Sequence, residues 1–150
     1  MIWGSISVHG TGQLHVLEGT MRSDQYIEVL NGQFFPQLLA WCPDGNGILM
    51  HDGAPCHRRA AVTQYLEERG IEVLPWPGNS PDQNPIKGLW KLLKDKINST
   101  PVTTKRELTE RIINTWHNDP EISNTGRRYI LDMPRRIAAL IKAKGGHTKY

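Results

Sequence analysis

Apolar and polar positions follow two spacings along the chain, one typical of strands and one typical of helices. Ile2 to Val8 and Gln13 to Leu17 are short apolar segments bracketed by glycine-containing turns. They predict two antiparallel strands joined by a tight turn. From Ser23, the expected N-cap, apolar side chains recur at helical spacing up to Cys42. We predict a helix here, bent or broken near Pro36 because proline lacks a backbone donor.

The middle of the chain alternates strand, helix and strand. The apolar run Ile48 to Met50 is bounded by turn-rich segments, and helical spacing then covers Ala60 to Arg69, with Gly70 as the expected stop. Ile71 to Leu74 is typical of a further strand. Such a β-α-β unit predicts a parallel pair of strands. Asp52 would stand just beyond the carboxyl end of the first strand of that pair.

A proline-rich loop over residues 75–85 precedes a helix with two contrasting rows of side chains. Asn84 is a good N-cap, and Pro85 is a good first helical residue. The helix carries an apolar row and an adjacent basic row, which point to a buried and an exposed face. The apolar row comprises Ile86, Leu89, Trp90, Leu93 and Ile97, and the basic row comprises Lys87, Lys91 and Lys94.

The remaining sequence predicts three more helical segments. Thr104 and Glu107 have the spacing of a capping box, which opens a helix continuing through Trp116. Pro134 should divide the last helical stretch into residues 121–132 and 134–143, and Gly145-Gly146 should end it.

Composition excludes several classes of protein. A chain of 150 residues is typical of one domain, and its two cysteines provide neither a disulfide framework nor a zinc ribbon. No basic leader precedes a long apolar run, and no window has the ~18 apolar residues of a membrane span. We therefore expect a nuclear or cytoplasmic protein without a membrane partner.

Charge divides the chain into two unlike halves. The net charge is +3, but residues 1–75 carry four basic and eight acidic side chains, whereas residues 76–150 carry fourteen and seven. A polyanion would therefore bind the second half. The basic row of Lys87, Lys91 and Lys94 would contact phosphates, or it is only the solvated face of an amphipathic helix.

Asp52 is the first candidate for chemistry in the negative half. Carboxylates at the carboxyl ends of sheet strands often hold metals, yet Asp52 would equally cap the turn over residues 53–55. Spacing alone leaves both interpretations open. His51, Cys56 and His57 lack a recognised metal-ligand spacing, so histidines satisfied within a turn are the favoured interpretation.

Several segments, in order along nearly the whole chain, resemble the catalytic domain of Tc/mariner-family transposases of the DDE superfamily. The most specific is Ser-Pro-Asp-Gln-Asn-Pro-Ile at residues 80–86. The others are Trp3-Gly4, His51-Asp52-Gly53-Ala54-Pro55-Cys56-His57, Trp76-Pro77, Leu89-Trp90, Met133-Pro134-Arg135-Arg136 and Lys144-Gly145-Gly146.

The resemblance implies an α/β, ribonuclease H-like fold in which three acidic residues hold two divalent metals, Mg²⁺ or Mn²⁺. In the family, these metals activate water to nick DNA at the transposon end and then activate the freed 3′-hydroxyl to join target DNA. Two-metal sites stabilise both the attacking and the leaving oxygen. Asp52 matches the second acid of the family.

Two departures from the family pattern concern the other two acids. The third family acid follows the second after 34 residues, and residues 53–86 are 34 residues, so Lys87 occupies the matching position. The first family acid lies on a strand upstream of the matching segment, and the DNA-reading region lies further upstream. Residues 1–50 offer no substitute, because their acidic residues are predicted in turns or in a helix: Glu18, Asp24, Glu28 and Asp44.

We therefore expect residues 1–150 to be a partial catalytic domain, truncated before the first acid-bearing strand and without a separate DNA-reading domain. Unpaired strand edges would make it unstable or self-associating. The first functional hypothesis is a transposase fragment that binds divalent metal poorly and is inactive by itself. The alternative is a non-enzymatic module that binds DNA or dimerises. Expected partners are DNA, bound weakly and non-specifically through Lys91 and Lys94, and a second copy or an intact transposase.

Overall fold

The predicted N-terminal hairpin is present, although its second strand begins at Gly10 and not at Gln13, in a computed structural model that describes residues 1–77, 80 and 83–148. Strand β1 covers Ile2–Ser7 and strand β2 covers Gly10–Val16. At its open end, Met1 and Leu17 exchange two hydrogen bonds of 2.8 Å, as residues in an antiparallel pair do. Gly10 begins β2 at φ +112°, a conformation that a side chain would strain.

The chain divides into two compact units. The first unit comprises Met1–Gly4 with Gln13–Ser80, and the second comprises Ser5–Gly12 with Pro81–Tyr150. The hairpin therefore contributes residues to both units.

The first helical segment of the first unit is interrupted, as Pro36 predicted, but the interruption precedes the proline. Helix α1 covers Ser23–Val29, a π-helical turn covers Leu30–Phe34, and helix α2 covers Phe35–Trp41. Pro36 cannot donate to the preceding turn and its ring crowds that turn, so a locally wider helix accommodates it.

The prediction of Ser23 as N-cap was wrong by one residue. Arg22 has the extended backbone of an N-cap, and the Gln25 Oε1 accepts a 3.0 Å hydrogen bond from the Arg22 N–H. The helix therefore begins at Ser23 itself.

The predicted β-α-β unit is confirmed in the first unit. Strands β3, Ile48–Leu49, and β4, Glu72–Val73, pair in parallel on either side of helix α3, Ala60–Glu68. Gly70 follows α3 at φ +64°, the left-handed conformation of a helix stop. Within the described residues, β1–β2 and β3–β4 are separate two-stranded sheets. The buried core beneath these elements comprises Tyr26, Leu30, Phe34, Leu49, Val62, Leu66 and Ile71.

Four helices follow in the second unit. They are α4, Pro85–Asn98; α5, Lys105–Asn118; α6, Pro120–Leu131; and α7, Met133–Lys142. Before Pro85, the described residues of the predicted loop at 75–85 form neither strand nor α-helix. Residues 78, 79, 81 and 82 of that loop lie outside the described residues.

The helix starts of the second unit largely follow the predicted caps. The Asn84 Oδ1 accepts from the Ile86 N–H at 3.3 Å, and Pro134 lies in the first turn of α7. The capping box of α5 forms only in half: Thr104 Oγ1 accepts from the Glu107 N–H at 3.1 Å, but Glu107 reaches back to the Thr103 N–H instead of the N-cap.

Trp116 lies at the centre of the second unit. Its side chain is fully buried, stacks on Trp90 with ring centroids 4.8 Å apart, and donates its Nε1–H to the Gly12 carbonyl oxygen at 2.8 Å. The apolar row of α4 packs inward as predicted, with Leu89, Leu93 and Ile97 buried. No helix in the described part of the chain is long and apolar enough to cross a membrane.

Candidate functional site

Asp52 follows β3 and lies in a turn whose own groups contact its carboxylate. Its Oδ1 accepts a 3.2 Å hydrogen bond from the Ala54 N–H and lies 3.1 Å from His57 Nδ1. His57 Nδ1 also lies 3.0 Å from the Asp52 carbonyl oxygen. The side chain of Asp52 is one-third exposed, whereas that of His57 is 15% exposed. The turn-capping interpretation of Asp52 thus describes its present contacts.

Two histidine rings and a tyrosine form a stack behind this carboxylate. The rings of His51 and His57 are parallel, with centroids 4.9 Å apart, and the Tyr26 ring lies 4.2 Å from that of His57. Tyr26 Oη is 3.0 Å from His51 Nδ1, a hydrogen bond that α1 makes to the loop after β3. We call these four residues, Tyr26, His51, Asp52 and His57, the strand-end cluster.

Burial determines the protonation of the strand-end cluster. It lowers the pKa of His51 to about 4, with a further lowering by His57 and an opposing effect of Asp52. Burial also raises the pKa of Tyr26, and the negative charges that Cys56 and Asp52 can carry raise it further. At neutral pH, therefore, His51 and Tyr26 are both neutral, and their hydrogen bond joins two uncharged groups.

Sequence reasoning predicted His51 and His57 as satisfied turn residues but missed Tyr26. Its hydroxyl is 25 residues from its partner and belongs to another element. Tyr26 occupies an apolar position of α1, so the helical pattern indicated burial but gave no sign of a polar partner. Sequence spacing carries no signal for this contact.

The described side chains around Asp52 provide fewer oxygen ligands than a two-metal centre uses. Among the described residues, no three His, Cys, Asp or Glu side chains are grouped so as to hold a metal ion. Asp52 is a single carboxylate, and one of its oxygens already faces both a backbone N–H and an imidazole. Mg²⁺ prefers several hard oxygen ligands and dehydrates reluctantly.

The basic row lies on the exposed face of α4, in the second unit. Lys87, Lys91 and Lys94 are all exposed and recur at helical spacing, with Lys87 in the first turn after the Asn84 cap. Within the described residues, no ion pair holds Lys91 or Lys94. Lys96 differs, because its Nζ lies 2.7 Å from carboxylate oxygens of both Asp119 and Glu121. Those hydrogen bonds raise the pKa of Lys96.

The family becomes clear when the chain is compared with known proteins. A family model described as DDE superfamily endonuclease matches residues 1–109. The chain belongs to this family. Its resemblance to Tc/mariner transposases is likewise confirmed by curated relatives, so it is a transposase-related DDE endonuclease domain of the Tc/mariner type.

Two of those relatives come from nematodes. The transposable element Tcb1 transposase of Caenorhabditis briggsae is 29% identical over 153 residues, and the Tc1 transposase of Caenorhabditis elegans is 29% identical over 150 residues. Both alignments cover 100% of this chain and 54% of the relative. The chain thus spans about half the length of the curated relatives it matches.

The fold of this DDE domain matches a solved structure. The catalytic domain of Mos1 mariner transposase aligns with a TM-score of 0.86 and 20% identity, over 99% of this chain and 75% of that one. The predicted ribonuclease H-like fold is thereby confirmed. Mos1 structures have been solved with Mg, with Mn, and as a paired-end complex with the left transposon end.

Proposed function

We propose that this chain is a partial Tc/mariner catalytic domain that binds DNA through the basic row of α4 but does not cleave it. One observation carries the proposal. Of the two positions that match family acids, only Asp52 is a carboxylate, and its oxygen contacts the Ala54 N–H and His57. Lys87 lies at the position that matches the third acid. A lysine contributes a positive charge where the family uses a metal-binding carboxylate.

The divalent metals of the family would supply water activation and stabilisation of the leaving oxygen. The residues of this chain do not fit such a pair, so we assign no cleavage step to it. Its own residues would instead attract a phosphate backbone, because Lys91 and Lys94 are exposed and are not neutralised by an ion pair with a described residue. This supports DNA binding without base recognition, since phosphate contacts carry no sequence information.

A nicking assay tests the catalytic half of the proposal. Supercoiled plasmid is incubated with the chain in Mg²⁺ and in Mn²⁺, beside Asp52→Asn and Lys87→Glu variants. We expect no relaxed product above the Asp52→Asn background from either the unmodified chain or Lys87→Glu, because the family's first acid has no substitute in residues 1–50. Nicking by the unmodified chain that Asp52→Asn abolishes would overturn it.

A binding assay tests the DNA half. Affinity for a random duplex, measured by fluorescence anisotropy from about 0.05 to 0.3 M salt, should fall steeply with salt. Replacing both Lys91 and Lys94 with Gln should lower the slope of log K against log salt by about 2. Lys105→Gln combined with Arg106→Gln, on α5, is the matched control. If both double variants have the same slope, the basic row is only a solvated face of α4 and does not contact DNA.

The second candidate is a non-enzymatic module that dimerises with a second copy of the chain. Exposed apolar side chains favour it, since Leu131 at the end of α6 is 58% exposed and Ile141 on α7 is 72% exposed. Sedimentation of the chain alone over a hundredfold range of concentration tests it. A single monomeric species throughout would contradict self-association.

A further inference from the structure

The junction of α6 and α7 carries a second basic surface, separate from the row on α4. A shallow cavity of about 350 Å³ opens there. Three of its six lining residues are exposed arginines, and the full set is Asn124, Arg127, Arg128, Leu131, Asp132 and Arg135. We call this surface the arginine groove. We infer that the arginine groove is a binding site for the phosphate backbone of duplex DNA, an inference that rests on the proposed function and extends it to a second surface.

The groove is built on a fixed frame. Helices α6 and α7 are separated by Asp132 alone, whose N–H donates to the Arg128 carbonyl at 2.9 Å and whose carbonyl accepts from the Arg136 N–H at 3.0 Å. Arg136 is buried, and its guanidinium lies 4.9 Å from the centroid of the Tyr129 ring. The backbone positions of the three groove arginines are thus set before any ligand binds.

Tyr129 ties this frame to α4. A Cβ added at Gly88 would lie 2.8 Å from Tyr129 Cε2, so only glycine lets the tyrosine ring pack this closely on α4. The arginine groove and the basic row therefore belong to helices of the same unit that are in direct contact.

The three arginines of the groove differ in how far they are already engaged. The guanidinium of Arg127 makes no hydrogen bond or ion pair with the part of the chain that the structure describes. That of Arg128 lies over the Tyr129 ring, 5.8 Å from its centroid, and Arg135 Nη1 lies 3.3 Å from Asp132 Oδ1. Among the described residues, none competes with a phosphate for Arg127, whereas Asp132 competes with a phosphate for Arg135.

The charge around the arginine groove indicates which ligand it binds. Between residues 124 and 144 the chain has six basic side chains and one acidic side chain, Asp132. Guanidinium groups bind phosphate oxygens through paired N–H donors, which a fixed helical frame can direct to a backbone without reading bases. The exposed Leu131 between them offers no base-specific donor or acceptor. Duplex DNA, the polyanion of the proposed function, is therefore the ligand to which we commit.

Two substitutions with opposite expected effects test the inference. Arg127→Gln removes the available guanidinium, so duplex affinity at about 0.1 M salt should fall roughly three- to tenfold and the salt slope should fall by about 0.9. Asp132→Asn removes the competing carboxylate and keeps an uncharged side chain of the same shape, so affinity should rise. Arg106→Gln, which removes an exposed arginine of α5 that lies 3.8 Å from Glu110, is the matched control.

The outcomes distinguish failure of the arginine groove from failure of the basic row. Equal losses in Arg127→Gln and Arg106→Gln, or no gain in Asp132→Asn, would overturn the groove while leaving the basic row intact, because the Lys91 and Lys94 double variant reports on that row separately. Absence of duplex binding by every variant at low salt would overturn both. Polyglutamate and unlabelled DNA are then compared as competitors at equal total charge. If polyglutamate displaces the duplex as well as DNA does, the groove is a general anion surface, which also overturns the assignment to DNA.

Discussion

The two units of the chain use their polar side chains in opposite ways. In the first unit, Tyr26, His51, Asp52 and His57 contact one another and are largely withdrawn from water. In the second unit, charged side chains such as Lys91 and Arg127 are exposed and make no ion pair with the described residues. The same division appears in the net charge, which is −4 over residues 1–75 and +7 over residues 76–150.

This difference shows where each unit directs its chemistry. A carboxylate at the end of a strand is in a position suited to metal binding, but one oxygen of Asp52 already contacts a neighbouring N–H and an imidazole. The exposed cations remain available to an external anion. The chain thus combines a ribonuclease H-like fold with exposed positive charge that lies in the second unit.

The largest expected effect concerns the interior of the second unit. Trp116→Ala should lower the free energy of unfolding by about 3–5 kcal/mol, because it removes a fully buried ring and the stacking contact of that ring with Trp90. Urea denaturation followed by circular dichroism measures the loss. Trp116→Phe, which keeps a ring but leaves the Gly12 carbonyl without its donor, should cost less. Equal losses in both variants would assign the stabilisation to the hydrogen bond.

The next effect tests whether the polar core of the first unit stabilises it. Tyr26→Phe removes the buried hydroxyl that bonds to His51 and should cost about 1–2 kcal/mol of unfolding free energy. Tyr65→Phe removes an exposed hydroxyl, which bonds to Asn31 at 3.2 Å, and should cost less than about 0.5 kcal/mol. Urea midpoints of the two variants provide the comparison, and equal shifts would contradict it.

The stability of the first unit should depend on pH through His51. Because the pKa of His51 falls from 6.5 to about 4 on folding, the unfolded chain takes up the proton first as pH falls. Stability from this group is present above about pH 6.5 and is lost as pH falls towards 4. The slope should be a fraction of about 1.4 kcal/mol per pH unit, since His51 is only partly buried.

Urea midpoints at pH 7, 6 and 5 measure that slope. His51→Asn, which keeps a polar side chain but does not titrate, should flatten it. An unchanged slope in His51→Asn would show that His51 is not the source of the pH dependence.

The smallest effect is at the start of α4. Lys87→Glu places a carboxylate at the third helical residue, where it favours the helix dipole and can accept from the Asn84 N–H, for a gain of about 0.3–1 kcal/mol. Lys94→Glu, in the middle of the same helix, lacks this advantage. Thermal denaturation of both variants compares them, and equal changes would rule out a capping effect.

Local rules predicted much of the fold and little of the strand-end cluster. Asn84 starts α4 through its side-chain oxygen, and Pro85 and Pro134 favour first-turn positions through their fixed backbone, so these helix starts could be predicted from sequence. The parallel pairing of β3 with β4 followed from the β-α-β order, whereas the register of Ile48 with Glu72 needed the structure. The approach of Tyr26 to His51 depends instead on how α1 packs, which no spacing encodes. The position of Asp52 after β3 was predicted, but its contact with His57 needed the structure.

The π-helical turn at Leu30–Phe34 lets this stretch hold one residue more than an uninterrupted α-helix would. One residue corresponds to about 100° of rotation in an α-helix, and the wider turn absorbs the extra residue, so the apolar positions on either side of it stay on one face. Leu38 therefore packs against the core that Leu30 helps to form. Deleting a residue of this turn, such as the exposed Gly32, should return it to regular α-helix with Leu38 still facing the core, whereas a deletion in α2 before Leu38 should turn Leu38 away.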